Sequence, residues 1–572
     1  MECSDSISNL PDEILGKILS LIPTKGAAST SVLSKRWRNL LGLVDTVWLD
    51  ESMVVYADEE EETRGLRVLC DFLDRAYALL SNAPMKKFSC SLSSIGEDDI
   101  RRVSSCVSRW IWTSMERGSS EIHFHANPRS VLVLETKLLT SDTLVKLTLS
   151  GSCCLQVERV YFPALSPALE ELHVRDDGVD RVNSCVHRWI LTAMERGLSE
   201  IHLHANPWSA LGLETKLLTS NTLVKLTLSG SCCLQVERVY FPALKSLSLV
   251  SVRFDYDNYC RLLSGSPALE ELHVRDEDPE QPICWNCCGR DVNSASLKRF
   301  VFFTNHPNCE ADDDLFVVHA PSLVFLDYSS YVYPKYRFRD LDMLVEARLN
   351  IRLWVSTNDY DDYDGYDYDD DDDDDEDDDD DDDDRGYYSV GRVKPNPISG
   401  NVTGLVAGIS NITTLHLSSD SLEAFHFCCK SMPVFNKLLN LSIESNKEKG
   451  WQVMPLLLKS CPTLETLVFK GLEHRVTNRC GDACACIPKK KKRMKKKMKK
   501  EEICCLWTCQ VKVLEISEYG GSFQELKQMR HFLGNLKCLE TVRVDLGVES
   551  KFLRANVKSL PRLSSKCNIQ FI

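Results

Sequence analysis

The chain has 572 residues, 43% of them apolar and 25 of them cysteine, and a formal net charge of −16. No run of eighteen apolar residues occurs, and MECSDSISNLPDE at the start has neither a basic nor an apolar leader segment, so neither a membrane span nor secretion is expected. The charge is concentrated: residues 359–384 hold 21 carboxylates and residues 489–500 hold 10 Lys and Arg, which leaves the remainder near neutral and makes nucleic acid an unlikely main partner. Cysteines scattered through such a chain read as reduced thiols rather than a disulfide framework, and Asn401 and Asn411 then sit in idle glycosylation sequons.

The first predicted element begins at Pro11, where a helix tolerates a missing N–H, and Asp12 and Glu13 follow in the turn that favours negative charge. Ile14, Leu15, Ile18, Leu19 and Ile22 gather on one side of a 3.6-residue period until Pro23 blocks continuation. Thr24 is placed to cap a second short helix, and Ser34 a third that carries Lys35, Arg36, Trp37 and Arg38. About forty residues cannot cover that much apolar surface alone, which predicts a docking partner.

Leu10-Pro11-Asp12-Glu13-Ile14, Pro23-Thr24-Lys25 and Ser31-Val32-Leu33-Ser34-Lys35-Arg36-Trp37-Arg38 resemble a plant F-box. The resemblance implies docking onto a Skp-type adaptor and, through it, onto a cullin-RING ubiquitin ligase. Leu10, Pro11, Ile14, Leu15, Ile18, Leu19, Val32, Leu33 and Trp37 are the adaptor-binding candidates, with Leu15, Ile18, Leu19 and Trp37 expected to face the adaptor. Gly26-Ala27-Ala28 departs from the acidic residue and larger aliphatics usual there, which would weaken docking.

From Leu144 the pattern Leu-x-x-Leu-x-Leu recurs, with starts at 223, 244, 269, 297 and 323, and it resumes at Ile412, Leu438 and Leu464. Such spacing is that of leucine-rich repeats, and the pattern resembles the repeats of plant F-box proteins. The expected fold class is therefore α/β: a three-helix F-box, then a leucine-rich-repeat solenoid with parallel strands on its concave face and helices or turns on its convex face, continuing across the acidic insertion. Residues 139–165 recur at 218–244 with one difference, Asp142 against Asn221, within a longer duplication of 102–165 as 181–244. Residues 511–545 predict a strand, a Gly-Gly turn, a helix with Phe523, Leu526, Met529, Phe532 and Leu533 on its apolar face, and a further strand; this tail resembles the FBD region of plant F-box proteins.

The expected organisation is an F-box at 1–50, a linking region with irregular repeats at 51–138, repeats at 139–358, a disordered acidic insertion at 359–400, repeats at 401–472, a Cys- and Lys-rich insertion at 473–510 and the FBD-like region at 511–572. Residues alternating with the inward leucines face the concave surface, and among them Arg275, Arg299, Phe303 and Phe325 have the side-chain types that most often anchor an interface. The lysine run reads as a nuclear import signal or a solvated insertion, so nucleus or cytoplasm is expected. Cys480, Cys484 and Cys486 have C-x3-C-x-C spacing rather than the C-x2-C knuckle, and neither they nor Cys284, Cys287 and Cys288 are expected to hold zinc. His123, His125, His202 and His204 read as exposed strand residues. No catalytic motif and no cofactor site is found. The reading is of a non-catalytic subunit that recruits an unknown protein substrate for ubiquitination; a leucine-rich scaffold without a ligase role and a nucleic-acid binder acting through the lysine run are the alternatives.

Overall fold

A computed structural model describes residues 10–49, 84–92, 100–126, 132–135, 143–150, 153–156, 170–176, 197–205, 211–213, 219–230, 232–234, 238–252, 256–276, 290–305, 315–355, 398–477, 480–486, 504–547 and 550–572, with a few isolated positions besides. The acidic run, the lysine run and Cys284, Cys287 and Cys288 lie outside the described residues. The chain divides into two compact units, Met1–Val301 and Phe302–Ile572.

In the first unit, helices α1 (Asp12–Leu19), α2 (Thr24–Ser29) and α3 (Lys35–Leu40) form the amino-terminal module. Pro11 occupies the cap position of α1, and Ser34 caps α3 by accepting from the Trp37 N–H. The cap expected of Thr24 is not made: Pro23 holds that position, and the Thr24 hydroxyl accepts instead from the Trp48 N–H at 2.9 Å, tying α2 to the first strand. Gly16 is needed because a Cβ there would press on the Leu43 side chain and carbonyl.

Strands Thr46–Leu49, Lys87–Leu92, Glu121–Ala126, Lys146–Ser150, Glu171–Asp176, Glu200–Ala205, Lys225–Gly230, Ser246–Val250 and Glu271–Asp276 then pair in turn, each parallel to the next. The register aligns Val47, Phe88, Ile122, Leu147, Leu172, Ile201, Leu226, Leu247 and Leu272 in one column, and all are buried. Period-2 alternation puts the intervening residues on the opposite, open face. The ladder thus starts at Thr46 and runs through strands within 51–138, where the leucine spacing is irregular. The duplicated segments build the same contacts twice: His125 bonds Ser150 at 2.8 Å, and His204 bonds Ser229 at 2.8 Å. A helix, Tyr256–Ser264, provides the return with Tyr259, Leu262 and Leu263 inward.

The second unit repeats this construction. Strands Phe325–Tyr331, Glu346–Arg352, Thr414–Leu417, Asn440–Glu444, Thr466–Lys470, Val513–Tyr519, Thr541–Leu546 and Asn568–Phe571 pair in parallel, in that order. Glu346–Arg352 pairs with Thr414–Leu417 across the acidic insertion, as the repeat pattern predicts. Residues 511–572 supply further strands of this same ladder, and helices Met454–Lys459 and Phe523–Asn535 lie between strands. The second helix has a capping box, in which the Ser522 hydroxyl accepts from the Glu525 N–H and the Glu525 carboxylate accepts from the Ser522 N–H. Its inner face differs from the expected one: Phe523 is 83% exposed, whereas Glu525 and Gln528 are buried beside Met529, Phe532 and Leu533. These two polar side chains point inward because each has backbone partners there.

Candidate functional site

The apolar stripe of α1 is split by the fold. Leu15 and Leu19 pack with Ala27, Leu40 and Val44 in the module's own core, and Leu10, Ile22, Trp37 and Leu41 pack around them. Leu15 and Leu19 are therefore buried inside the module rather than exposed on its surface, and the partly buried Trp37 packs against that core; a module with one interior draws in the half of the stripe that points to it. The other half, Ile14 and Ile18, stays outside at 41% and 40% exposure, followed by Leu21 at 78%. Val32 and Leu33, on the turn between α2 and α3, are 83% and 66% exposed, and Pro11 is also exposed. Arg36 closes the module from outside by pairing with Asp12 at 2.7 Å. Gly26 is exposed and Ala27 is buried, so the departure from larger residues at 26–28 falls partly inside the module.

On the open face of the first unit, one register column carries three cross-strand ion pairs: Lys87 meets Glu121 at 3.5 Å, Lys146 pairs with Glu171, and Lys225 meets Glu200 at 3.4 Å. The next column on that face holds His123, His173, His202 and His273, and the rings of His173 and His202 stack at 4.0 Å. His123 and His202, like His125 and His204, are half-buried rather than exposed as expected, and burial pushes His123, His173 and His202 below the ordinary imidazole range. Arg275 is exposed and Arg299 partly so, both in this unit.

Phe303 and Phe325 belong to the second unit and are half-buried, and the Arg348 guanidinium lies 5.4 Å over the Phe325 ring. The open face here contains a cavity of about 430 Å³ whose polar lining includes Asp327, Arg348, Asn350, His416, Ser442 and Glu444. Burial and the neighbouring Arg348 hold His416 below its usual pKa. Arg348 and Asn350 were missed by sequence reasoning because their strand carries Ala347 in place of the central leucine. The signal was present, since Leu344, Ala347 and Leu349 keep the repeat's spacing and follow Leu323 by 21 residues.

A separate cluster in the second unit brings His474 to the three cysteines at 480, 484 and 486, and their ligand atoms all lie within 4.8 Å of one another. The expectation against a metal there rested on the spacing of the cysteines and on the neighbouring Lys/Arg run, and did not include His474. His474 is six residues upstream and comes into place only through the fold.

Residues 7–46 match the F-box domain model, and residues 186–344 match a model described as FBD-associated F-box protein, LRR repeats. The F-box/LRR-repeat protein At1g48400 of Arabidopsis thaliana is 59% identical, with 99% of this chain and 98% of that protein aligned. The F-box protein At4g27050 and the F-box/LRR-repeat protein At5g35995, from the same plant, are 41% and 39% identical over the whole of both chains. With an F-box module, parallel repeat ladders and relatives aligned over the full length, the chain belongs to the plant F-box/LRR-repeat family.

Proposed function

We propose that this chain is a substrate-recognition subunit of a Skp-cullin-F-box type E3 ubiquitin ligase. In this reading the amino-terminal helices dock a Skp-type adaptor and an open repeat face holds a target protein, while the chemistry of ubiquitin transfer lies in other subunits. The observation that carries the reading is the exposure of Ile14, Ile18, Val32 and Leu33 in a module whose other large aliphatic residues are mostly packed. Apolar area covered on docking stabilises a complex by about 25 cal/mol per Å², so these residues supply a driving force without disturbing the core. In the second unit the polar cavity lined by Arg348, Asn350 and His416, with Phe303 and Phe325 of the same unit, is a candidate contact surface for the target, and Arg275 and Arg299 are separate candidates in the first unit.

Co-purification of the full chain with a Skp-type adaptor tests the docking. Ile18→Asp combined with Leu33→Asp is expected to lower adaptor affinity more than about tenfold, since each places a charge in a covered interface. The circular dichroism spectrum should stay unchanged, because both positions are exposed. Leu15→Asp would lose binding by unfolding the module and is not a clean probe. Full adaptor binding by the Ile18/Leu33 variant would refute the assignment of this surface.

A further inference from the structure

The cluster at residues 474–486 has the composition and geometry of a metal centre. Its four ligand atoms, one imidazole nitrogen and three thiol sulfurs, all fall within 4.8 Å of one another, and His474 Nε2 is 2.9 Å from Cys484 Sγ. In a tetrahedral site with metal–sulfur bonds of ~2.3 Å the sulfurs stand ~3.8 Å apart, so closing the observed cluster onto an ion needs only small side-chain adjustments. His474, Cys480 and Cys484 are buried and Cys486 is half-buried.

The imidazole is already turned for coordination. Its Nδ1 lies 3.3 Å from the Leu472 carbonyl oxygen, and donating there leaves the Nε2 lone pair directed at the sulfurs, which is how a metal-bound histidine is commonly oriented. Trp451 stacks on the ring at 4.1 Å with an 11° tilt and fixes its plane. The Cys486 N–H points at Cys484 Sγ from 3.2 Å, and the Thr477 hydroxyl lies 3.3 Å from Cys480 Sγ, contacts that stabilise thiolates.

The turn carrying the cysteines is held without their help. Gln528 accepts from the Ala485 N–H and donates to the Ala483 carbonyl, Asp482 accepts from the Cys505 N–H at 2.6 Å, and the Asp482 carbonyl faces His531 Nε2 at 2.9 Å. The two buried polar contacts from Gln528 on the inner face of helix Phe523–Asn535 thus serve to seat this turn.

We propose that His474, Cys480, Cys484 and Cys486 bind one Zn²⁺ in a closed, structural Cys3His site. Soft thiolates with imidazole favour Zn²⁺ over Mg²⁺ or Ca²⁺, which take oxygen ligands. With four protein ligands no position is left for water, so the ion cross-links the turn to the segment after strand Thr466–Lys470. It does no chemistry. On binding, the three thiols lose their protons to solvent and the sulfurs coordinate as thiolates.

Full-length protein purified in a phosphine reductant, supplied with zinc sulfate and dialysed, should retain ~1 equivalent of zinc by elemental mass spectrometry. Cys480→Ser with Cys484→Ser should retain less than about a tenth of that, whereas Cys461→Ser, a buried cysteine outside the cluster, should retain it all. Cobalt chloride titrated into the metal-free wild-type chain should give tetrahedral d–d bands and thiolate charge transfer, a readout that does not depend on any variant folding. A wild-type chain that takes up neither metal overturns the proposal. So does equal zinc in the Cys480/Cys484 variant, or peptide mapping that finds two of the three cysteines joined as a disulfide after the same preparation.

Discussion

Glu423 has no exposed side-chain surface and is held by Lys449 at 3.1 Å, by Arg475 at 3.3 Å and by the Gly450 N–H at 3.3 Å. Burial works against the Lys449 ammonium, yet Glu423 and Asp420 outweigh it and hold its pKa above the ordinary lysine value. Removing one member of such a buried group strands the other charges, which costs about 3–5 kcal/mol. Glu423→Ala is accordingly expected to lower the urea midpoint by that stability, and a loss under about 1 kcal/mol would show that solvent or Asp420 replaces the missing carboxylate. The histidine column makes a second prediction at this scale. Burial, then the charges of His173 and Lys225, bring His202 down to about 4 from 6.5, and His123 and His173 shift the same way. An imidazole whose folded pKa is depressed stabilises the fold fully above its unfolded value, and this contribution is lost as pH falls below about 6.5 because only the unfolded chain takes up the proton. The thermal midpoint should therefore drop between pH 7 and pH 5, a range in which Glu171, its pKa lowered by Lys146, stays ionised. His173→Asn with His202→Asn should shrink that drop; an unchanged pH dependence in the variant would count against the histidine pair as its source.

At the scale of the element, the sequence was most legible where one period governs one buried face. Leu226 and Leu228, Leu247 and Leu249, and Leu441 and Ile443 lie inward as alternation requires, and Ser34 caps α3 as its position before a charged helix suggests. It was least legible where two faces compete. In α1 the positions i, i+1, i+4 and i+5 cover two adjoining directions about 100° apart, and the sequence has no mark for which of Ile14 or Leu15 points inward. The fold decides by bringing Leu40 and Val44 against Leu15 and Leu19. Buried polar residues escape pattern reading for a different reason. Gln528 looks like part of a solvated face until its partners are known, and those are the distant backbone groups of Ala483 and Ala485, whereas Glu525 turns inward to the Gly520 and Ser522 N–H groups at the start of its own helix. His474 is hidden in the same way, because nothing in its local sequence separates it from an ordinary strand-end histidine.

For the whole molecule, nearest-neighbour pairing explains how the chain accommodates insertions and a duplication. Among the described residues, each strand within a ladder pairs with the ladder strand before it and the one after, so a segment can be added between two strands if their pairing survives. Glu346, Ala347, Arg348 and Leu349 pair in register with Thr414, Leu415, His416 and Leu417, and Ser418 and Ser421 add hydrogen bonds back to Asn350 and to the Leu349 carbonyl. Groups on either side of the acidic run thus close the ladder around residues 359–384. Shortening a long loop changes the closure entropy by only about 0.6 kcal/mol per halving, and removing 21 like charges relieves repulsion. Deletion of residues 359–384 is expected to leave the thermal midpoint within about 2 °C of the parent chain, or slightly above it, with adaptor co-purification intact. The parent should gain more than the deletion variant when salt is raised, since screening matters most where like charges crowd within the ~8 Å Debye length. A deletion variant that recovers poorly or melts many degrees lower would mean that the acidic run contributes native contacts, and that the strand pairing at 346–349 and 414–417 does not stand by itself.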